Sequence, residues 1–193
     1  MIDEKRFDDL IKKYASQYRL PWLLIKAQVW AESGFDPNAV SPCGAKGLMQ
    51  LMPETAQEIA RSSKLKAEAE NLTLFEPEIN IDLGVKYDRI QYDHLPEIPN
   101  SEERLKFSLA AYNCGRGYVN QALRLAREVE FGFQPKVLPP GEWQIWEYSC
   151  TFLSVPLCEV KGKRPDYKQV WNYVEKIWKK YENYRQEAIG NRP

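Results

Sequence analysis

Little in this chain leans to one side. Its 27 Lys and Arg are matched by 27 Asp and Glu, so the formal net charge is zero. No general electrostatic pull toward nucleic acid is therefore built in. Histidine is nearly missing, with His94 alone, and none of the four cysteines forms a Cys-x-x-Cys pair. Both facts argue against a zinc site. A long apolar run is missing too. The best candidate, Trp22 to Ala31, is interrupted by Lys26 and Gln28 and is about half the length a membrane helix needs. The opening Met1-Ile2-Asp3-Glu4-Lys5-Arg6 has no apolar h-region, so it does not read as a signal peptide. It fits either a mature form or export by another route.

What is present is ordinary globular material. Hydrophobic residues make up 44% of 193 positions and charged residues 28%, which suits one domain, residues 1–193, with a sizeable core. A monomer is expected. The periodicity is helical almost throughout. Phe7, Leu10, Ile11, Tyr14 and Tyr18 recur at three- and four-residue steps, predicting an amphipathic first helix. Pro21 suits a first helical position and Gly34 a stop, which predicts a second helix through Ser33. That helix is apolar around most of its circumference and belongs in a core. Residues 35–47 read as a loop. Further helices are expected after Pro53, after Pro77, from Ser101 as N-cap, across Val119–Glu128 and over Asp166–Arg185. The proline- and aromatic-rich stretch 131–165 shows no period and reads as an irregular insertion with room for a short β-hairpin. The fold class is mainly α.

An acidic side chain at the end of an apolar helix needs a reason. Glu32 lies in the last turn of the second helix, just before Ser33-Gly34. Burial and the negative end of the helix dipole both disfavour its charge. Such a carboxyl suits a general acid working near neutral pH. A Glu that simply reaches solvent at a helix end is the plain alternative. Asp36 precedes a proline and reads as a turn opener, and Glu54 as a residue that complements the dipole of a first helical turn.

Several ordered blocks carry a resemblance. Ala31-Glu32-Ser33-Gly34-Phe35 is followed by Ser41-Pro42-Cys43-Gly44-Ala45-Lys46-Gly47-Leu48-Met49-Gln50-Leu51-Met52-Pro53. Leu74-Phe75-Glu76-Pro77-Glu78-Ile79-Asn80-Ile81, Ala110-Ala111-Tyr112-Asn113-Cys114-Gly115 and Tyr173-Val174 come later. Together they resemble the soluble lytic transglycosylase (SLT) catalytic domain, over residues 20–125 and 166–184. The resemblance implies a lysozyme-like fold that cleaves the MurNAc–GlcNAc β-1,4 bond of peptidoglycan glycan strands without water, leaving a 1,6-anhydro-MurNAc end. It places Glu32 as the catalytic acid/base and Ser41, Gln50, Met52, Tyr112, Asn113 and Tyr173 as substrate contacts. It implies no cofactor and no metal, no nucleic-acid partner, and a location in the bacterial envelope, in the periplasm. Tyr112 and Tyr173 also fall on helical stripes, where core packing is the plain reading. Many family members carry Glu four residues before that last Tyr, whereas this chain has Gln169, an amide that can hydrogen-bond but supplies no charge. A lysozyme-like hydrolase on the same fold and an inactive wall-binding module are the competing functions.

The resemblance also bears on the cysteines. Cys43 and Cys114 fall in two segments that flank one cleft in the family. The expectation is a Cys43–Cys114 bridge, with Cys150 paired to Cys158 inside the insertion, as suits an oxidising compartment. The insertion's Phe131, Phe133, Trp143, Trp146 and Tyr148 could wall a glycan cleft or fill a small satellite core. Lys161, Lys163 and Arg164, and the pair Lys179-Lys180, read as solvated faces that could also meet anionic wall polymer.

Overall fold

A computed structural model describes residues 3–62, 73–131 and 141–190. Its eight α-helices are α1 (Asp8–Gln17), α2 (Trp22–Ser33), α3 (Pro53–Arg61), α4 (Pro77–Asp93), α5 (Ser101–Cys114), α6 (Arg116–Phe131), α7 (Trp146–Ser149) and α8 (Tyr167–Gly190). Two 3-10 turns, Glu142–Gln144 and Cys150–Ser154, flank α7. Among the described residues the strand-like pairings are isolated antiparallel bridges, Val40 with Lys46, Lys46 with Leu51 and Val160 with Lys163. The fold is mainly α.

The chain divides into two compact units, Met1–Arg89 with Lys176–Pro193, and Ile90–Glu175. The division falls within α4 and within α8. The first unit has α2 at its centre, where Leu24, Ile25, Ala27 and Val29 are at most 2% exposed. A helix so apolar must be covered on several sides. From α1, Asp8 pairs with the buried Lys26 of α2 at 2.7 Å, and Lys26 also lies over the Tyr184 ring of α8. The hydroxyls of Tyr14 on α1 and of Tyr18 just past its end donate to Glu78 (2.9 Å) and Asp82 (2.6 Å) on α4. Chain ends meet here as well, since Tyr184 donates to Glu4 at 2.6 Å.

The second unit packs α5 and α6 with the insertion. Trp146 is 1% exposed, meets Phe107 of α5 edge-on (centroids 5.5 Å apart) and stacks on Trp171. Its backbone N–H donates to Glu103 at 2.6 Å. Lys106 bonds to Glu147 at 2.8 Å and to Glu103 at 3.1 Å. Burial alone would lower this lysine's pKa, but the two carboxylates outweigh it and hold it above its usual value.

Two expectations are corrected. In the described part of 131–165 helical turns gather around Trp146, whose burial organises residues with no period of their own, and the expected hairpin is reduced to a two-residue turn at Lys161-Gly162, where Val160 and Lys163 exchange backbone hydrogen bonds at 2.9 and 3.1 Å. Tyr148 stacks edge-on against Phe152, so the satellite-core reading describes Trp146 and Tyr148. Phe133 lies outside the described residues. Asn100, not Ser101, caps α5: its side-chain oxygen accepts from the Glu102 and Glu103 N–H groups at 2.9 and 3.1 Å. The expected disulfides are not formed. Cys43, Cys114, Cys150 and Cys158 are all free thiols, because the sulfurs turn to different backbone carbonyls. Cys150 bonds to Glu147 O, Cys158 to Tyr118 O and Cys114 to Gly115 O, while Cys43 is exposed. The redox argument for an oxidising compartment goes with them.

Candidate active site

Helix α2 ends where its backbone is forced out of register. Gly34 takes a left-handed conformation (φ 60°, ψ 31°) and Phe35 follows at φ 65°, a conformation that costs a residue with a Cβ about 1 kcal/mol. Phe35 is 4% exposed, so burial of its ring offsets that cost. The turn leaves Glu32 half-buried in the last helical turn. Ser33 next to it fastens the helix end to the following loop. Its hydroxyl lies 3.2 Å from Val29 O and 2.9 Å from Leu48 O. From α8, Lys176 donates to Ala31 O at 3.2 Å and lies over the Trp30 ring, so a cation sits at this helix C-terminus and offsets part of its dipole. Asp36 accepts from Asn38 N–H at 2.9 Å, which is the turn its sequence indicated.

The loop from 39 to 52 is held by a side chain that sequence reasoning quoted but assigned no role. Asn80, fully buried on α4, accepts from Met49 N–H at 2.7 Å and donates to Lys46 O (2.9 Å) and Leu74 O (2.8 Å). One amide thus satisfies three backbone groups from two loops. Gly47 (φ 78°) allows this, because a Cβ there would stand 2.2 Å from Leu74 O and 2.3 Å from the Asn80 amide nitrogen. Gly84 does the same for Met49, whose sulfur would be 2.4 Å from an added Cβ. In the sequence Asn80 is only one polar residue early in a helix that follows Pro77, and its burial is what reveals the clamp.

Ser41, Gln50 and Met52 lie on this loop, in the same unit as Glu32. Ser41 Oγ accepts from Ala45 N–H at 3.0 Å and so shapes the turn, while its own proton is left to donate. Gln50 sits at φ 47° and donates its amide N–H groups to Ala39 O (3.1 Å) and Gly47 O (2.9 Å). Its carbonyl end is the part that can meet a ligand hydroxyl. Met52 is 38% exposed and offers a polarizable apolar surface at the start of α3. A cavity of about 210 Å³ in this unit is lined by Lys46, Pro53, Ala56, Gln57 and residues 73–75. None of the four expected residues lines it. Tyr112 and Asn113 are half-buried near the end of α5, and Tyr173 is half-buried on α8, all in the second unit. Among the described residues no group of His, Cys, Asp or Glu could hold a metal ion, and no helix is long and apolar enough to cross a membrane.

A mainly helical unit in which a helix ending Glu-Ser-Gly is clamped to a Gly-Leu-Met-Gln loop defines the class: a lysozyme-like domain. The family model described as "Transglycosylase SLT domain" matches residues 9–132, and the chain belongs to that family. It is 35% identical over 139 residues to membrane-bound lytic murein transglycosylase F of Desulfosudis oleivorans, covering 72% of this chain and 27% of that protein. It is 36% identical over 121 residues to the protein of the same name from Marinobacter nauticus, covering 63% and 22%. Among solved structures, an inactive mutant of the lytic transglycosylase Slt from Pseudomonas aeruginosa matches with a TM-score of 0.65 at 23% identity, over 98% of this chain and 25% of that one. The 70 kDa soluble lytic transglycosylase of Escherichia coli matches with a TM-score of 0.61 at 24% identity, over 96% and 25%. These structural likenesses show the SLT fold. The chain spans about a quarter of the length of these relatives.

Proposed function

We propose that this domain is a peptidoglycan lytic transglycosylase in which Glu32 is the general acid and base. The observation that carries the reading is Glu32 itself, half-buried in the last turn of a core helix and tied through Ser33 to the loop bearing Ser41, Gln50 and Met52. In its protonated form Glu32 can donate to the oxygen between MurNAc and GlcNAc as the C1–O bond breaks. The substrate's N-acetyl group then assists at C1. The Glu32 carboxylate takes the proton of the sugar's own 6-hydroxyl, whose oxygen closes on C1 and leaves a 1,6-anhydro-MurNAc end. One catalytic carboxylate suffices for such a substrate-assisted route. Sugar hydroxyls suit the Ser41 hydroxyl, the Gln50 carbonyl and the Asn113 amide, and sugar faces suit Met52, Tyr112 and Tyr173. Membership in a transglycosylase family and the names of its relatives support a glycan-strand substrate and a site of action in the cell envelope.

Glu32→Gln is expected to lower turnover of purified cell-wall glycan by at least about a thousandfold, since the side chain serves both proton transfers. Mass spectrometry of the wild-type digest should show products one water lighter than hydrolysed muropeptides. A digest made mainly of reducing-end products would transfer the assignment to a lysozyme-like hydrolase. Equal clearing by wild type and Glu32→Gln would remove Glu32 from its role, and no clearing by either would leave a binding module.

A further inference from the structure

Behind Glu32 lies a second acid that the reaction scheme leaves unused. Asp88, on α4, is 5% exposed and lies on the stripe of Ile81 and Val85, both fully buried. Its Oδ1 accepts a hydrogen bond from the Gln28 side-chain amide, Nε2 standing 3.2 Å away. Gln28 is also fully buried and lies on α2 one turn before Glu32, on the same helix face. Two buried oxygens here have no hydrogen-bond partner: Oδ2 of Asp88 and Oε1 of Gln28. They belong to the two side chains already joined through their other ends. Two acceptors cannot bond each other, and leaving both unmatched in a dry interior costs about 1–3 kcal/mol apiece. One proton on Asp88 satisfies both.

We infer that Asp88 is a neutral carboxylic acid whose O–H donates to Gln28 Oε1, closing a cyclic acid–amide pair that positions the last turn of α2 and so Glu32. Burial pushes the Asp88 carboxyl well above its usual range, the Gln28 hydrogen bond works the other way, and the nearby Glu32 charge pushes it up further. Glu32, from α2, is the charged group shown to act on it. The pair therefore does two things. It anchors Gln28, whose backbone carbonyl is the acceptor of the helical hydrogen bond from residue 32. It also keeps the ground behind Glu32 uncharged, so that Glu32 can gain and lose its proton without a fixed anion beside it. Asp88 acts through Gln28 and is a positioning residue. This step rests on Glu32 being the acid/base, but the protonation state of Asp88 does not.

The test has readouts that are independent of activity. In carboxyl ¹³C NMR, the resonance that disappears in Asp88→Asn should sit at the protonated-acid position at pH 7, while exposed carboxylates have already titrated. An ionised shift at pH 7 would overturn the inference. Because the folded-state pKa lies above the unfolded value of 3.8, folding must keep a proton that the unfolded chain loses. The stability associated with that group is thus complete below the unfolded pKa and declines as pH rises toward the folded one. Asp88→Asn keeps both hydrogen bonds without the proton, so its Tm should exceed that of wild type by a margin that widens from pH 4 to pH 8. A Tm deficit that is the same at both pH values would overturn it. On glycan strands, Asp88→Asn should stay within about twofold of wild type with an unchanged pH profile, whereas Asp88→Leu should lower kcat about tenfold with KM little altered. A pH limb displaced by Asp88→Asn, or equal activity of the Asn and Leu variants, would reject the positioning role. Loss of activity in Glu32→Gln tests the acid/base assignment separately.

Discussion

Four thiols in one small chain end in different chemical states because each sulfur meets different surroundings. Burial pushes Cys114 up to about 12, with the neighbouring Cys158 thiol adding to the effect. Cys150 is likewise raised to about 12, by burial and then by the Glu147 and Glu175 charges. The thiolate is the reactive species, so a thiol raised this far stays protonated at pH 8. Iodoacetamide at that pH should label Cys43 alone in the native protein and all four positions after denaturation, as counted by mass spectrometry. Rapid native labelling of Cys150 would show that its site is open. Spacing and resemblance were all that could be read for these residues from the sequence, but pairing depends on where each sulfur points. Asp88 was illegible for a related reason. On paper it is one more acid on a polar helix, and only the cover of α2 makes it a buried one.

At the scale of elements, most boundaries follow from punctuation. Gly34 stops α2, Pro53 opens α3 and Pro77 opens α4, each for a local backbone reason that does not depend on the rest of the fold. The cap of α5 was displaced by one residue because Asn and Ser are both good caps and stand side by side. Asn100→Ala should cost about 1 kcal/mol, read as a fall in Tm, whereas Ser101→Ala should cost much less. A larger loss is expected one level up, where an element is held from outside. Asn80→Ala removes the three hydrogen bonds to Met49 N–H, Lys46 O and Leu74 O and should cost about 3 kcal/mol by urea denaturation. It should also reduce glycan cleavage, since the same loop carries Ser41, Gln50 and Met52. A variant as stable as wild type would mean that solvent replaces the clamp.

At the scale of the whole molecule, the first unit is closed by both ends of the chain. Lys26 is central to that closure, paired with Asp8 and covered by Trp22 and Tyr184. Lys26→Met keeps the apolar stem but leaves Asp8 without its cation, and breaking a buried pair from one side typically costs about 3 kcal/mol. Calorimetry should show that loss, and the double variant Lys26→Met with Asp8→Leu should recover much of it. By itself the sequence determined the helical class, most helix ends and the candidate acid at position 32, because periodicity, proline and glycine act over a few residues. Tertiary structure alone decided that the thiols stay unpaired, that residues 142–154 wind into helical turns around Trp146, and that Asn80 and Asp88 are interior polar groups. Those outcomes depend on which distant surfaces exclude water from a side chain and which backbone groups then lie within hydrogen-bonding reach, and neither is encoded at the position itself.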